Sequence, residues 1–332
     1  MAVKLRYGVI GCGHLGRFHV QKAAALDNVE LVGLFDIDGE KGRSAADANQ
    51  THAFAEVEEL LAEVDAVSIV VPTETHHQEG MRALEAGKHV LLEKPIAVSV
   101  SEGEELTNLA ARQDVKLQIG HIERFNPACA GLRLLPETPR FIEGHRLSQF
   151  NPRGLDVAVI FDLMIHDIDL ILSLVDAEVT EVHASAVAVI SDKPDIANAR
   201  LRFANGTVAN LTASRISVQK MRKLRLFARD NYVSIDFLQK KGEHFLLAET
   251  DATDIPDGYF SAAEYAPTGR RILFGALSYP DCDMLTEEIK SFVDAVQNDR
   301  PVVVSGREAT AALKVALQIE KSAREGLDRV VT

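Results

Sequence analysis

The sequence predicts an α/β protein of two domains: a doubly wound parallel sheet over residues 1–122, then an α+β domain with a mainly antiparallel, open-faced sheet over residues 123–332. Three observations predict it. Up to about Gly120, short β-branched runs alternate with helical stretches, the rhythm of parallel strands joined by crossover helices. Beyond Ile122 apolar runs follow one another with turn signals and few helices between them, the rhythm of antiparallel strands. The chain has 332 residues, and a single hydrophobic core stops growing at roughly 250–300.

In the first domain, strands are expected over residues 6–10, 31–36, 66–71, 89–92 and 116–119, with helices beginning near Leu15, Gly39, Val57, His76 and Ser101. Gly87 suits the left-handed residue that ends a helix. In the second domain, residues 126–135 read as helical, 141–148 as a strand and 156–175 as a helix. Strands over 179–190, 197–203, 208–218, 223–228 and 232–237 then form a meander, with turns at Asn205-Gly206 and Asp230-Asn231. Residues 250–278 carry Gly, Pro and Asp without clear periodicity and read as a long irregular excursion. Two amphipathic helices close the chain, about 284–298 and 307–324, the second capped by Ser305 and able to fold back on the first domain.

Composition narrows the function. A content of 46% hydrophobic and 26% charged residues is that of a folded globular protein. A net charge of −13 argues against binding nucleic-acid phosphates. Lys220, Arg222, Lys223, Arg225 and Arg229 do cluster, at a spacing that suits the wet face of a strand, with an anionic ligand as the other reading. Cys12, Cys129 and Cys282 are too few and too far apart for a disulfide framework or a zinc CxxC site, which fits a reducing compartment. Neither a signal peptide nor a membrane span is recognised, so the cytoplasm is the expected location.

The chemistry begins at the first strand, which runs into Gly11-Cys12-Gly13-His14-Leu15-Gly16. In a GxGxxG between strand and helix, the first glycine permits a tight turn, the second lets the backbone approach a pyrophosphate and the third lets the helix pack on the strand. This is the fingerprint of a Rossmann dinucleotide-binding domain. Asp36 stands about 20 residues beyond Gly16, where a carboxylate accepts both ribose hydroxyls of NAD and repels the 2′-phosphate of NADP. The alternative is that Asp36 only ends a strand and caps a helix. Glu93-Lys94-Pro95 follows the strand at 89–92, at the sheet edge where such domains bind ligands, so Lys94 can reach a substrate hydroxyl; a solvated lysine is the plain alternative. Farther on, Asp162, His166 and Asp169 stand at i, i+4 and i+7 of a predicted helix and share a face. A histidine there can take the proton an alcohol loses as its carbon gives up hydride. A divalent metal site and a structural core histidine remain the other readings.

The glycine loop, Asp36, Glu93-Lys94-Pro95 and the helical Asp-x-x-x-His, in this order, resemble the Gfo/Idh/MocA oxidoreductase family over nearly the whole chain. Val71-Pro72-Thr73 with His76 resembles the family's cofactor-lining loop, and Gly306 with the following helix its closing segment. The resemblance implies NAD in preference to NADP, contacts to it from Gly11, Gly13, His14, Leu15, Gly16, Asp36, Pro72, Thr73, His76 and Glu93, no metal, and a catalytic set of Lys94, His166 and Asp162. Residues 120–127 and 162–169 resemble more narrowly the branch that oxidises C3 of UDP-N-acetylglucosamine, whose ketone a PLP aminotransferase can use. That implies Arg124, Asn126, Arg146 and Arg153 as holders of cofactor or substrate diphosphate, against a reading as surface arginines and a helix cap. It also implies a homodimer or homotetramer through the C-terminal sheet. A free-sugar or inositol dehydrogenase and a non-catalytic NAD-binding sensor are the competing functions.

Overall fold

The computed structural model describes residues 3–151, 157–252, 255–265 and 269–331. The chain forms two compact units, residues 1–125 with 283–314 and residues 126–282 with 315–332.

The first unit alternates strand and helix: β1 (Leu5–Ile10), α1 (Gly16–Ala24), β2 (Val29–Phe35), α2 (Gly39–Ala48), β3 (His52–Ala53), α3 (Val57–Glu63), β4 (Ala66–Ile69), α4 (Thr73–Glu85), β5 (His89–Glu93), α5 (Val100–Arg112) and β6 (Leu117–Gly120). The strands pair in parallel in the order β3-β2-β1-β4-β5-β6, the doubly wound sheet the sequence predicts. Covered on both faces, β4 is buried at every residue, Ser68 included. β3 adds a strand at the sheet edge; its two residues are too short for a periodic signal. α4 begins at Thr73, three residues before the predicted start, because Pro72, at φ −59 and ψ 146, sets the helix entry. Thr73 and His76 thereby fall on its first turn.

In the second unit, β7 (Phe141–Leu147) is followed by a π turn over Ile160–Met164, α6 (Ile165–Leu172), β8 (Val179–Val187), β9 (Ile196–Phe203), β10 (Val208–Ser214), β11 (Met221–Ala228), β12 (Asn231–Asp236), β13 (Lys241–Glu249), β14 (Tyr259–Tyr265) and β15 (Arg270–Ser278). The sheet order is β14-β15-β13-β12-β11-β7-β10-β9-β8. Two expectations are corrected here. The strands do not form one meander: β7 is inserted between β10 and β11, parallel to the first and antiparallel to the second. Nor is 250–278 irregular, since β14 and β15 pair within it. β15 is held by β13, which precedes β14 in the chain, and pairing across such a gap leaves no local trace in the sequence.

The helices α7 (Met284–Gln297) and α8 (Gly306–Val331) end the chain. Sequence reading put α7 in the second domain, yet it belongs to the first unit. Its stripe of Leu285, Ile289, Phe292 and Val293 needs an apolar partner, and finds it beside α1 in the core around Tyr7 and Val9. The Tyr7 and Phe292 rings meet edge-on at 6.3 Å. At the start of α8, Ser305 Oγ accepts the Glu308 N–H at 3.3 Å while the Glu308 carboxylate accepts the Ser305 N–H at 2.9 Å, a reciprocal cap.

One residue of α7 works against folding. Glu288 is wholly buried, and neither carboxyl oxygen has a hydrogen-bond partner among the described residues. Burial, then the charge of Glu93, raises its pKa well above the ordinary 4.5. The folded protein thus holds this proton to higher pH than the unfolded chain does. Below about pH 4.5 both states are protonated and stability is undiminished; as the pH rises from there, the unfolded chain gains by ionising and stability falls. Glu288→Met is expected to raise Tm by roughly 3–8 °C at pH 8 and by less at pH 4.5. An equal shift at both pH values in thermal melts would exclude this account.

Candidate functional site

The first unit gathers its chemistry at the carboxyl ends of β1, β2, β4 and β5, on either side of the switch between β1 and β4. Gly11 has φ +90, and a Cβ on it would lie 2.2 Å from the Val70 carbonyl oxygen. Gly16 opens α1 so close to the loop that its Cβ would fall 1.9 Å from the Gly11 carbonyl oxygen. Gly13 differs: no described heavy atom lies within 4 Å of the place its Cβ would take. The protein's own packing requires the outer two glycines, whereas the middle one leaves open the approach a pyrophosphate needs. His14 and Leu15, between them, are exposed.

Asp36 follows β2. Its Oδ2 accepts the Cys12 N–H at 2.6 Å and its Oδ1 the Asp38 N–H at 2.8 Å. The helix cap is Asp38, which accepts the N–H groups of Glu40 and Lys41. Asp36 is thereby tied to the glycine loop, with lone pairs left for ribose hydroxyls. Lys41, the first cation after it, is engaged by Asp38 at 3.0 Å. Beside Asp36, Ile37 is 97% exposed.

Two residues expected to face the cofactor have side chains bonded within the protein. His76 is buried, its Nδ1 2.7 Å from the Pro95 carbonyl oxygen and its Nε2 3.0 Å from that of Val71. It therefore sits between the loop after β4 and the turn after β5, and burial lowers its pKa. Glu93, the last residue of β5, turns its carboxylate into the protein, toward His19 and the Lys94 N–H. Pro72 is exposed and Thr73 half-buried on the loop above. Lys94 follows Glu93 at the sheet edge, before a cis Pro95.

In the second unit the helix predicted over 156–175 is broken at its start by the π turn, which widens the coil and takes Asp162 off a strict helical face. His166 and Asp169, both buried within α6, still share a face. Asp162 is half-buried. Among the described residues, no group of three or more His, Cys, Asp or Glu is placed to hold a metal ion.

Three of the four candidate diphosphate holders lie among the described residues. Arg146 is buried and forms a two-pronged ion pair with Asp167, Nε at 3.0 Å and Nη2 at 2.7 Å, so it serves to orient α6. Asn126 caps the 3-10 turn after it, accepting the Ala128 N–H at 3.1 Å, and donates to the Phe237 carbonyl oxygen at 3.1 Å. In the first unit Arg124 meets Glu308 at 3.5 Å. Arg153 lies outside the described residues. In the basic cluster, Lys223 pairs with Asp236 and Arg225 with Glu143 across neighbouring strands, as a wet strand face would.

Residues 5–121 match the family model of an oxidoreductase family with an NAD-binding Rossmann fold, GFO_IDH_MocA, and residues 138–233 match the GFO/IDH/MocA C-terminal domain. The chain is 40% identical over 328 residues to the UDP-N-acetylglucosamine 3-dehydrogenase of Acidithiobacillus ferrooxidans, covering 98% of this chain and 100% of that one. The solved structure of that enzyme superposes with a TM-score of 0.85, covering 97% of this chain and 98% of that one. The myo-inositol 2-dehydrogenase of Thermotoga maritima is 26% identical over 97% of both chains. GenD2 from gentamicin A biosynthesis, solved in complex with NAD, shares the fold at 20% identity and a TM-score of 0.80, over 98% of this chain and 96% of that one.

Proposed function

The chain belongs to the Gfo/Idh/MocA oxidoreductase family, and from that premise we propose that it oxidises the C3 hydroxyl of UDP-N-acetylglucosamine to a ketone, with NAD as acceptor. One observation carries the reading. Open Gly13, tethered Asp36 and Lys94 stand on one sheet edge, in a chain that aligns end to end at 40% identity with an enzyme of that name.

The glycine loop and Asp36 would hold NAD, which would supply the hydride acceptor for the carbon whose hydroxyl is oxidised. Asp36 receives the adenosine ribose and repels a 2′-phosphate, which selects NAD. His166, assisted by Lys94, removes the hydroxyl proton, and Asp162 holds the substrate or the imidazole. Of the residues considered for the diphosphate, Arg124 and Arg153 are retained; Arg146 is set aside because Asp167 engages its guanidinium at two points, and the neutral Asn126 because it caps a turn and donates to Phe237.

The ketone product suits a PLP-dependent aminotransferase as the next enzyme. The subunit pairs with copies of itself through the second sheet, where Phe141, Phe227, Tyr232, Phe245, Phe274 and Phe260 line one face with successive ring centroids 4.7–5.6 Å apart. A monomeric mass at micromolar concentration would refute that pairing. The three free thiols fit the cytoplasm, and among the described residues no helix is long and apolar enough to cross a membrane.

The test is NADH formation with a substrate panel. UDP-N-acetylglucosamine is expected to exceed both myo-inositol and free N-acetylglucosamine by about 100-fold or more in kcat/KM, the discrimination that polar contacts to a nucleotide handle can supply. Turnover of inositol with none of the nucleotide sugar would leave the family standing and remove this substrate.

A further inference from the structure

The support beneath Lys94 runs through a buried histidine that the chemistry above does not use. In the parallel register Val9 lies opposite Ser68, and Ser68 opposite Leu91. Alternate residues of a strand share a face, so Tyr7, Ser68 and Glu93 all emerge on the same side of β1, β4 and β5. On that side α1 brings in His19, whose Nδ1 is 3.1 Å from Ser68 Oγ and whose Nε2 is 3.3 Å from Glu93 Oε1. Ser68 Oγ is in turn 2.6 Å from the Tyr7 hydroxyl. The other oxygen of Glu93 accepts the Lys94 N–H at 3.2 Å. Gly120, opposite Glu93 on β6, leaves room for the carboxylate, since a Cβ there would lie 2.9 Å from Oε1.

The directions of these bonds are constrained. A carboxylate only accepts, so His19 Nε2–H donates to Glu93; with a neutral ring, Nδ1 accepts from Ser68, whose oxygen accepts from Tyr7. Burial pushes the Glu93 carboxyl up, but the bond from His19, with the charge and the N–H of Lys94, outweighs this and leaves its pKa below the ordinary value. Glu288, in the same unit and without such donors, is shifted the other way, upward. Tyr7, Ser68 and His19 are shut off from water, so the chain of bonds ends in the core and gives a proton no way out. It is built to hold, not to conduct.

We propose that His19 is a positioning residue for the dehydrogenase reaction, which through Glu93 locks the main chain at Lys94 in the orientation from which the Lys94 side chain meets the substrate. This rests on the assignment of Lys94 to the reaction. A displacement of about 1 Å at a reacting group costs on the order of 100-fold in rate, whereas binding of the dinucleotide by the glycine loop and Asp36 does not depend on that turn.

The experiment compares His19→Leu, His19→Gln, Glu93→Gln and the His19→Leu/Glu93→Gln double variant with Lys94→Met, in the full chain with NAD and UDP-N-acetylglucosamine. His19→Leu and Glu93→Gln are expected to lower kcat by about 30- to 100-fold, with KM and the Kd for NADH within about 3-fold of wild type. His19→Gln, which keeps an N–H for Glu93, should recover to within about 5-fold, and the double variant should be no slower than either single one. A purely structural histidine would lower Tm without this split or rescue. Wild-type kcat in Glu93→Gln or His19→Leu, no gain for His19→Gln over His19→Leu, or losses that multiply in the double variant would each overturn the proposal while Lys94→Met stays inactive. An active Lys94→Met would remove the Lys94 assignment itself. If His19→Leu does not fold, Glu93→Gln and His19→Gln decide.

Discussion

Lys94→Met and His166→Gln are each expected to lower kcat by about 100- to 10,000-fold, the range that a positioned proton-transfer group contributes. Methionine keeps most of the length of Lys94 and removes its charge; glutamine keeps a polar group at position 166 and removes its ability to take a proton. Neither exchange touches the glycine loop or Asp36, so NADH should bind both variants as it binds the parent. The two losses are not expected to multiply, because residues that act on one proton transfer work as a unit and the first deletion removes most of what the second can cost. The local structure supports a fixed geometry for His166, which is buried in α6 beside Asp167, itself held by two bonds from Arg146. Steady-state kinetics with NADH titration on the same samples is the measurement. Full turnover in both variants would leave a family oxidoreductase whose proton chemistry lies with other residues.

The local geometry of the glycine loop and of the strand ends beside it was legible in the sequence. GxGxxG, Asp36 and Glu93-Lys94-Pro95 are legible because each is a local consequence of strand–turn–helix geometry: a glycine where a Cβ would strike Val70, a carboxylate at a strand end, a lysine at the next edge. What the sequence hid is nonlocal. β15 pairs with β13 across an intervening strand, and β7 enters the middle of a sheet whose other strands come later. Nor could a lone histidine in α1 announce that it would meet Glu93, seventy-four positions away. For His76 and Glu93, likewise, a motif gives the neighbourhood of a residue, and the fold decides which protein groups its side chain meets.

Gly13→Val should abolish dinucleotide binding while leaving the fold intact, and the contrast with its neighbours makes this a sharp test of where the pyrophosphate lies. A side chain at 11 or 16 would collide with the protein's own carbonyl oxygens, so loss of binding there would be confounded with loss of structure. At 13 the backbone is outside the left-handed region and the added carbons meet nothing described within 4 Å of the Cβ, so the cost falls on the ligand. Displacing a pyrophosphate from the main-chain donors of a helix N-terminus should raise Kd for NAD by about 100-fold or more, equivalent to about 2.7 kcal/mol. Thermal melts separate the two effects. Without NAD, Gly13→Val and the parent should melt within about 2 °C of each other, as expected for a surface substitution outside the core. With NAD at about 100 times the parent's Kd, the parent gains about 2.7 kcal/mol of stability and its Tm rises by several degrees, while the variant's shift is reduced to a small fraction of this. An equal NAD-induced shift in both proteins would mean that the pyrophosphate does not cross this loop.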